Sequence, residues 1–209
     1  MSESTGPQSG SQREALPLAD GARPERADAR RNRLKVLEAA ERLFAEQGVR
    51  NVSLDAIAAA AGVGKGTVFR RFGDRAGLAV ALLDEREREL QERMLSGPPP
   101  LGPDAAPADR LLAFLDAYVD LLDTHAELLL DSENAATGAR YRVGAYRFWH
   151  RHLVVLLEEA RPGLDAAFTA HALLAPVAAD LYDALRAEGY DVERIKSGLR
   201  GVASAVLAG

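Results

Sequence analysis

Residues 61–78, AGVGKGTVFRRFGDRAGL, constrain the fold of this chain more than any other stretch. Just upstream, Ser53 is suited to cap a short helix, whose apolar residues Leu54, Ile57 and Ala58 recur at helical spacing. Gly62 can adopt the positive φ that ends this helix. A second short helix over 65–72 follows, and Asp74 can cap a longer one over 75–95. Two helices joined by a short glycine-containing turn predict a helix-turn-helix, the geometry that places the second helix in a DNA major groove.

The second helix carries the functional prediction. Gly64 and Gly66 near its N-terminus would permit close backbone approach, and free N–H groups there can meet a phosphate. Val68 and Phe72, four residues apart, would anchor the helix inward. The side chains left outward are of types that contact phosphates and base edges: Lys65, Thr67, Phe69, Arg70 and Arg71. The alternative is an ordinary pair of helices with a solvated arginine-rich face.

The segment GVGKGT also invites comparison with a phosphate-binding P-loop, which requires G-x-x-x-x-G-K-[ST] after a β-strand. Here Gly66 follows Lys65 where serine or threonine is required, and Ala59 occupies the position of the first glycine. An alanine-rich helix precedes the segment. The P-loop interpretation is therefore rejected.

Over about residues 31–83 the chain resembles the N-terminal domain of the TetR family of bacterial transcriptional regulators. The matching segments are LEAAERLFAEQGV in the first helix and VSLDAIAAAAGVGKGTVFRRFGDRAGL after it. The resemblance implies phosphate contacts from Ser53 and Arg75, on either side of the recognition helix. Phe69 lies where the family usually has a phosphate-contacting tyrosine, and Arg71 where it often has histidine. The full set of predicted DNA-binding residues is Ser53, Lys65, Gly66, Thr67, Phe69, Arg70, Arg71 and Arg75.

Charge and composition agree with a cytoplasmic DNA-binding protein. The net charge is −5, but residues 23–75 hold 12 Lys/Arg against 7 Asp/Glu, a balance of +5 that leaves −10 elsewhere. This asymmetry is expected of a DNA-contacting module on an acidic sensor domain. The chain has no cysteine, which suits a reducing compartment. We find no apolar run of membrane-spanning length and no signal-peptide pattern, so we predict no membrane association and a cytoplasmic location.

The predicted fold is all-α, with an N-terminal three-helix helix-turn-helix domain and a C-terminal helical bundle that binds a ligand and dimerises. Residues 1–28, rich in polar residues, glycine and proline, predict a disordered tail, whose arginines either track DNA or are simply solvated. The DNA-binding domain is assigned to 29–76, with its first helix over 32–47, and the bundle to 77–209. Helices are predicted over 107–123, 125–131, 138–160, 164–188 with a kink at Pro176, and 192–207.

The last two predicted helices are rich in alanine and leucine. By the family resemblance they would pair with those of a second subunit in a four-helix dimer interface, while the alternative is packing within one chain. Dimerisation suits a helix-turn-helix protein that meets two half-sites about one DNA turn apart. The predicted interface residues are Leu174, Val177, Leu181, Leu185, Ile195, Leu199, Val202 and Val206.

The sequence indicates no catalytic, metal or cofactor site. His150 and His152 differ by two positions and so face different ways, and there is no H-E-x-x-H or G-x-S-x-G motif. An apolar pocket between bundle helices is more plausible for a small-molecule effector, although each candidate could equally be aromatic core. The candidates are Phe114, Tyr118, His125, Tyr146, Trp149 and His150.

Together these observations predict a homodimeric transcriptional regulator that binds double-stranded DNA, most simply a ligand-responsive repressor of a palindromic operator. Two alternatives remain at this stage. An activator would share every DNA-binding residue, and a helical-bundle enzyme would carry an incidental helix-turn-helix.

Overall fold

The structure is a computed structural model that describes residues 22–133, 141 and 144–209, and the regular secondary structure in these ranges is helical. The all-α prediction is confirmed. Short 3-10 turns occur at Val49–Asn51 and Ala175–Val177. No helix in the described ranges is long and apolar enough to span a bilayer. The helices are α1 (Ala22–Gln47), α2 (Leu54–Ala61), α3 (Lys65–Phe72), α4 (Arg75–Ser96), α5 (Pro107–Glu133), α6 (Gly144–Ala160), α7 (Ala166–Leu174), α8 (Ala179–Ala187) and α9 (Val192–Ala208).

Local capping fixes the bounds of α2, α3 and α4, which lie within one residue of the predicted ones. The Ser53 hydroxyl accepts a hydrogen bond from the Ala56 amide at 3.2 Å, which satisfies one of the free donors at the start of α2. Gly62 ends α2 in the left-handed conformation, with φ 66°. The Asp74 carboxylate caps α4 by accepting from the Gly77 amide at 2.8 Å.

Gly77 has a role that the sequence did not reveal. A Cβ atom at this position would lie 2.1 Å from the Phe72 carbonyl oxygen, so any side chain would collide with the backbone at the end of α3. The first turn of α4 therefore packs against α3 more closely than an alanine permits. Only glycine allows this approach, which sets the position of α3 relative to α4.

The first helix begins earlier than predicted. It starts at Ala22, whereas the sequence placed its start at residue 32 and assigned residues 1–28 to a disordered tail. A contact from a distant part of the chain stabilises the added turns, because Arg71 Nη1 donates to the Ala29 carbonyl at 2.8 Å. Arg33, just inside the predicted helix, donates from Nη1 to Glu85 at 2.9 Å. The tail prediction is wrong for the part from Ala22 onward, and its remainder, 1–21, lies outside the described residues.

The C-terminal bundle is built around α5, which is flanked by the other helices of that domain. One side of α5 packs apolar residues against α6, including Leu111, Leu115 and Leu122, all fully buried. Another side carries Asp116, Asp120 and Asp123, at spacings that place them in a row. Three polar contacts hold α8 and α9 to this row, which we call the aspartate row: Arg200 to Asp116 (2.8 Å), Lys196 to Asp120 (2.6 Å) and Tyr182 Oη to Asp123 (2.7 Å).

Two predicted helix boundaries in this domain are corrected. The segments predicted as separate helices over 107–123 and 125–131 form one helix, bent at His125, whose φ and ψ of −129° and 23° are not helical. Conversely, the predicted kink at Pro176 is a complete break between α7 and α8. The missing proline amide and the ring's clash with the preceding turn account for the break. The predicted start of α6 at residue 138 falls outside the described residues.

The two domains meet where α1 and α4 pack against the bend of α5. The Glu41 carboxylate of α1 accepts hydrogen bonds from the Arg86 guanidinium of α4, and Glu41 Oε1 lies 3.2 Å from His125 Nε2. Burial lowers the pKa of His125, and only part of that shift is offset by the Glu41 charge. A cavity of about 80 Å³ lies beside this contact, between Phe44 and Leu128. One carboxylate of the N-terminal domain thus contacts two helices of the C-terminal domain, α4 and α5.

Candidate nucleic-acid interface

The recognition helix α3 is anchored on one side only. Val68 is fully buried in the N-terminal core, and Phe72 is half-buried against the same core. The remaining side chains of this eight-residue helix are exposed: Lys65, Thr67, Phe69, Arg70 and Arg71. The outward residues are those predicted from the sequence. Their surroundings within the protomer are now defined.

The outward face of α3 divides into three strips by helical spacing. Gly66 and Arg70 lie opposite the buried Val68 and form the centre. Lys65 and Phe69 lie on the side facing α2, where Lys65 Nζ is 2.8 Å from Asp55. Thr67 and Arg71 lie on the side facing α1, where Arg71 bonds the Ala29 carbonyl. The cations are therefore spread across the whole width of the helix.

The ion pair between Lys65 and Asp55 is weak enough for either side chain to exchange its partner for another. Their side chains are 69% and 60% exposed, and a pair this exposed contributes at most about 1 kcal/mol to stability. Arg70 makes a long contact of 3.5 Å with the Thr67 hydroxyl, and both are exposed. A phosphate or a base edge could replace these partners at small cost.

Ser53 and Arg75 lie on the flanks of α3, as the prediction required of phosphate-contacting residues. Ser53 remains exposed while it caps α2, so one side chain is available both to the helix end and to the surface. Arg75 begins α4 and donates to the Arg50 carbonyl. Both residues lie beside the helix-turn-helix surface.

Gly66 is not explained by packing within the protomer. A Cβ atom there would meet nothing within 4 Å, and its backbone is ordinary α-helix. Glycine inside a helix costs about 1 kcal/mol relative to alanine. A residue that weakens the helix and leaves open space at the centre of its outward face suits an interface in which another molecule approaches the backbone.

The matches to known proteins centre on this domain. A model of the bacterial regulatory proteins of the tetR family matches residues 36–82. An HTH-type transcriptional regulator of Staphylococcus aureus strain USA300 is 45% identical over 53 residues, which are 25% of this chain and 29% of that relative. Residues 36–82 are therefore similar to the tetR family of bacterial regulatory proteins. The sequence match thus spans less than a third of the length of this relative.

Solved TetR-family structures extend the likeness to most of the chain. A structure described as a TetR-family transcriptional regulator from Rhodococcus sp. covers 85% of this chain and 99% of its own, with 22% identity and a TM-score of 0.64. NalD from Pseudomonas aeruginosa, described as the secondary repressor of the MexAB-OprM multidrug efflux pump, covers 86% and 98%, with 26% identity and a TM-score of 0.53. A TetR-like arrangement of an N-terminal domain and a C-terminal helical domain is therefore shared.

The predicted effector-binding residues fall into three separate places. Phe114, Tyr118 and Trp149 form a buried aromatic cluster, with ring centroids 5.6–5.9 Å apart. Tyr146 and His150 belong to a second cluster with His171, whose Nδ1 is 2.7 Å from Tyr146 Oη. His125 lies at the domain joint. The structure thus does not bring the six together, since His125 lines the separate cavity of about 80 Å³ at that joint.

Three buried polar atoms near the aromatic cluster were not anticipated from the sequence. Arg110 Nε, Trp149 Nε1 and His152 Nε2 have no hydrogen-bond partner within the part of the chain that the structure describes. Burial and the positive charge of Arg110 lower the pKa of His152 to about 4, so its imidazole is neutral near pH 7. No group of three or more potential metal ligands occurs within these described ranges.

The predicted dimer residues divide by exposure. Leu174, Val177, Ile195 and Leu199 are buried in the core of the protomer, so the structure corrects these four to intramolecular packing, the alternative left open above. Leu185 and Val206 are partly buried against the same core. By contrast, Leu181 and Val202 are 42% and 56% exposed. Only an exposed apolar residue can gain substantial burial from a partner subunit.

Proposed function

We propose that this chain is a dimeric transcriptional repressor that binds a palindromic operator through α3 and responds to a small-molecule effector. The observation that carries the proposal is the outward face of α3, where Lys65, Arg70 and Arg71 surround an open Gly66 in a TetR-family domain. Cations spread over a narrow, protruding helix match the phosphates that line a major groove.

The DNA-binding part of the proposal is tested first by selecting genomic fragments that the purified protein retains, and then by gel shift. We expect Arg70→Ala to weaken binding roughly tenfold to hundredfold, because the side chain lies at the centre of the contact face. The control is Arg147→Ala, which removes an equally charged and exposed side chain from α6. Equal affinities for the two variants would contradict the proposed orientation of the domain on DNA.

The proposed dimer uses the faces of α8 and α9 that the protomer leaves uncovered. Contacts with the aspartate row turn one side of α9 toward α5, and this orientation leaves Val202 outward beside Gly198 and Gly201. A Cβ atom at either glycine would meet nothing within 4 Å. Leu181 extends the exposed apolar surface onto α8. Such a face admits the close approach of a second copy related by two-fold symmetry.

The dimer is tested by light scattering on the purified chain. We expect Val202→Glu to yield monomers, because an unpaired carboxylate would be buried at the interface. It should also weaken operator binding, since one subunit meets only one half-site. The matched control is Leu95→Glu, which places the same charge at a similarly exposed apolar position on α4. A dimeric Val202→Glu would refute the assignment of this face.

The effector is proposed to contact the aromatic cluster of Phe114, Tyr118 and Trp149. The free Trp149 Nε1 donor, buried in an apolar setting, favours a ligand that presents a hydrogen-bond acceptor. Because Trp149 is the only tryptophan in the chain, its fluorescence reports this cluster alone. We expect an effector that releases operator DNA to change this emission. Release without any change would place the effector elsewhere.

Repression is proposed over activation because NalD, which this chain resembles along its length, is described as a repressor. A ligand can release DNA only by binding more tightly to the DNA-incompetent state. A reporter driven by the selected operator should therefore rise when the gene is deleted. A fall on deletion would favour activation by a protein of the same fold.

A further inference from the structure

Phe69 is an exposed aromatic side chain on the strip of the outward face of α3 that lies toward α2. Its ring is 62% exposed, and it is the largest exposed apolar side chain in the described part of the DNA-binding domain. Full burial of a phenylalanine side chain is normally favourable, so this ring is left in water at a cost. The neighbouring residues Val68 and Phe72 already supply the anchor to the core. Packing within the protomer therefore does not account for Phe69.

The surroundings of Phe69 indicate what covers it. Lys65 lies one turn before it on the same strip, and Arg70 follows it directly at the centre of the outward face. An apolar ring beside two cations suits a partner that is strongly anionic and also offers a small apolar group. A second protein copy would bring this cationic surface against itself. Duplex DNA combines the phosphates with apolar groups inside the groove.

The major groove offers the Phe69 ring one apolar chemical group to pack against. Base edges there present hydrogen-bond donors and acceptors, and the apolar group among them is the C5-methyl of thymine. The Phe69 ring consists of carbon and hydrogen only, so it cannot donate a hydrogen bond to a phosphate. We propose that Phe69 packs against a thymine methyl in each operator half-site and so specifies thymine at that position. This inference rests on the proposed function.

The test replaces each thymine of a selected operator in turn with deoxyuridine, which removes the methyl and keeps the base pairing. We expect one position per half-site at which wild-type affinity falls about fourfold, the effect of a single buried carbon. In Phe69→Ala the same substitution should have no effect. The salt dependence of Phe69→Ala should equal that of the wild type, because no phosphate contact is lost.

The controls separate the inference from the proposed function. Val80→Ala removes methyl groups from an exposed position on α4 and should retain the uridine effect. Thermal unfolding of Phe69→Ala should match the wild type, because the ring is exposed. Tight binding with no uridine-sensitive position, or sensitivity that persists in Phe69→Ala, would overturn the thymine contact and leave DNA binding intact. Failure to retain any duplex at low salt would overturn both.

Discussion

Ion pairs in the two domains have the same chemistry and opposite settings. The Lys65–Asp55 pair on α3 and α2 has side chains 69% and 60% exposed, whereas in the Arg200–Asp116 pair the values are 37% and 31%. Arg200 Nη1 also donates to both carboxylate oxygens of Asp116, each at 2.8 Å. On the recognition helix, charge is kept available to a partner. In the C-terminal domain charge orients helices.

The largest expected effect comes from disturbing the close contact between α3 and α4 that positions the recognition helix. We expect Gly77→Ala to destabilise the protein by about 3 kcal/mol, because the new methyl would overlap the Phe72 carbonyl oxygen and α4 would have to shift. Urea unfolding followed by circular dichroism measures the loss. A variant as stable as the wild type would show that the α3–α4 junction is not tightly packed.

The second prediction compares the two ion pairs directly. We expect Asp116→Asn to lower the free energy of unfolding by about 1 kcal/mol, and Asp55→Asn to change it by less than about 0.5 kcal/mol. Asp55→Asn should instead strengthen binding to DNA at low salt, because it removes a negative charge beside Lys65. Unfolding curves and gel shifts on both variants provide the comparison. Equal stability losses would remove the proposed distinction between the domains.

The third prediction concerns the pH dependence of the C-terminal core. The pKa of His152 falls from an ordinary 6.5 to about 4 on folding, so below pH 6.5 the unfolded chain binds a proton that the folded chain does not. Stability should therefore be lost as pH falls from about 6.5 toward 4, by at most about 1.4 kcal/mol per pH unit, the limit for one proton. His152→Gln should show a shallower slope over this window. His150→Gln, at an adjacent but distinct cluster, serves as the control.

The smallest expected effect is that of Gly66→Ala, which should raise the stability of the protein and lower its affinity for the operator. Gly66→Ala should stabilise the protein by up to about 1 kcal/mol, because alanine favours helix and the methyl would meet nothing. The same methyl should weaken operator binding, since it would occupy the space through which DNA approaches α3. A variant that gains stability and keeps full affinity would show that this glycine does not serve the interface.

The accuracy of sequence-based prediction followed the range of the interactions involved. The bounds of α2 and α3 were predicted because Ser53, Gly62 and Gly73 act within a few residues of their own position. The start of α1 was missed because Arg71, which donates to the Ala29 carbonyl in the added turns, lies far along the chain. The composition of that segment resembled a disordered tail, and no local signal indicates that contact.

The candidate sites show the same division. The exposed side chains of α3 followed from one short helix with a clear inward pair, Val68 and Phe72. The dimer residues could not be predicted in the same way. Helical spacing along α9 identifies an apolar stripe without showing whether the protomer or a second subunit buries it. Ile195 and Leu199 are buried within the protomer, whereas Val202, at the edge of the stripe, is exposed. The contacts that α9 makes with the aspartate row decide which residues are buried. In one of these contacts, between Asp116 and Arg200, the two residues are more than 80 positions apart in the sequence.

The 80 Å³ cavity at the domain joint has a mechanical consequence. Its apolar lining, Phe44 of α1, Leu82 of α4 and Leu128 of α5, belongs to the N-terminal core, and His125 at the bend of α5 completes the wall. Closely packed side chains transmit a displacement to their neighbours, whereas a gap does not. A small movement of the α5 bend is therefore absorbed at this gap before it displaces the helices of the N-terminal domain.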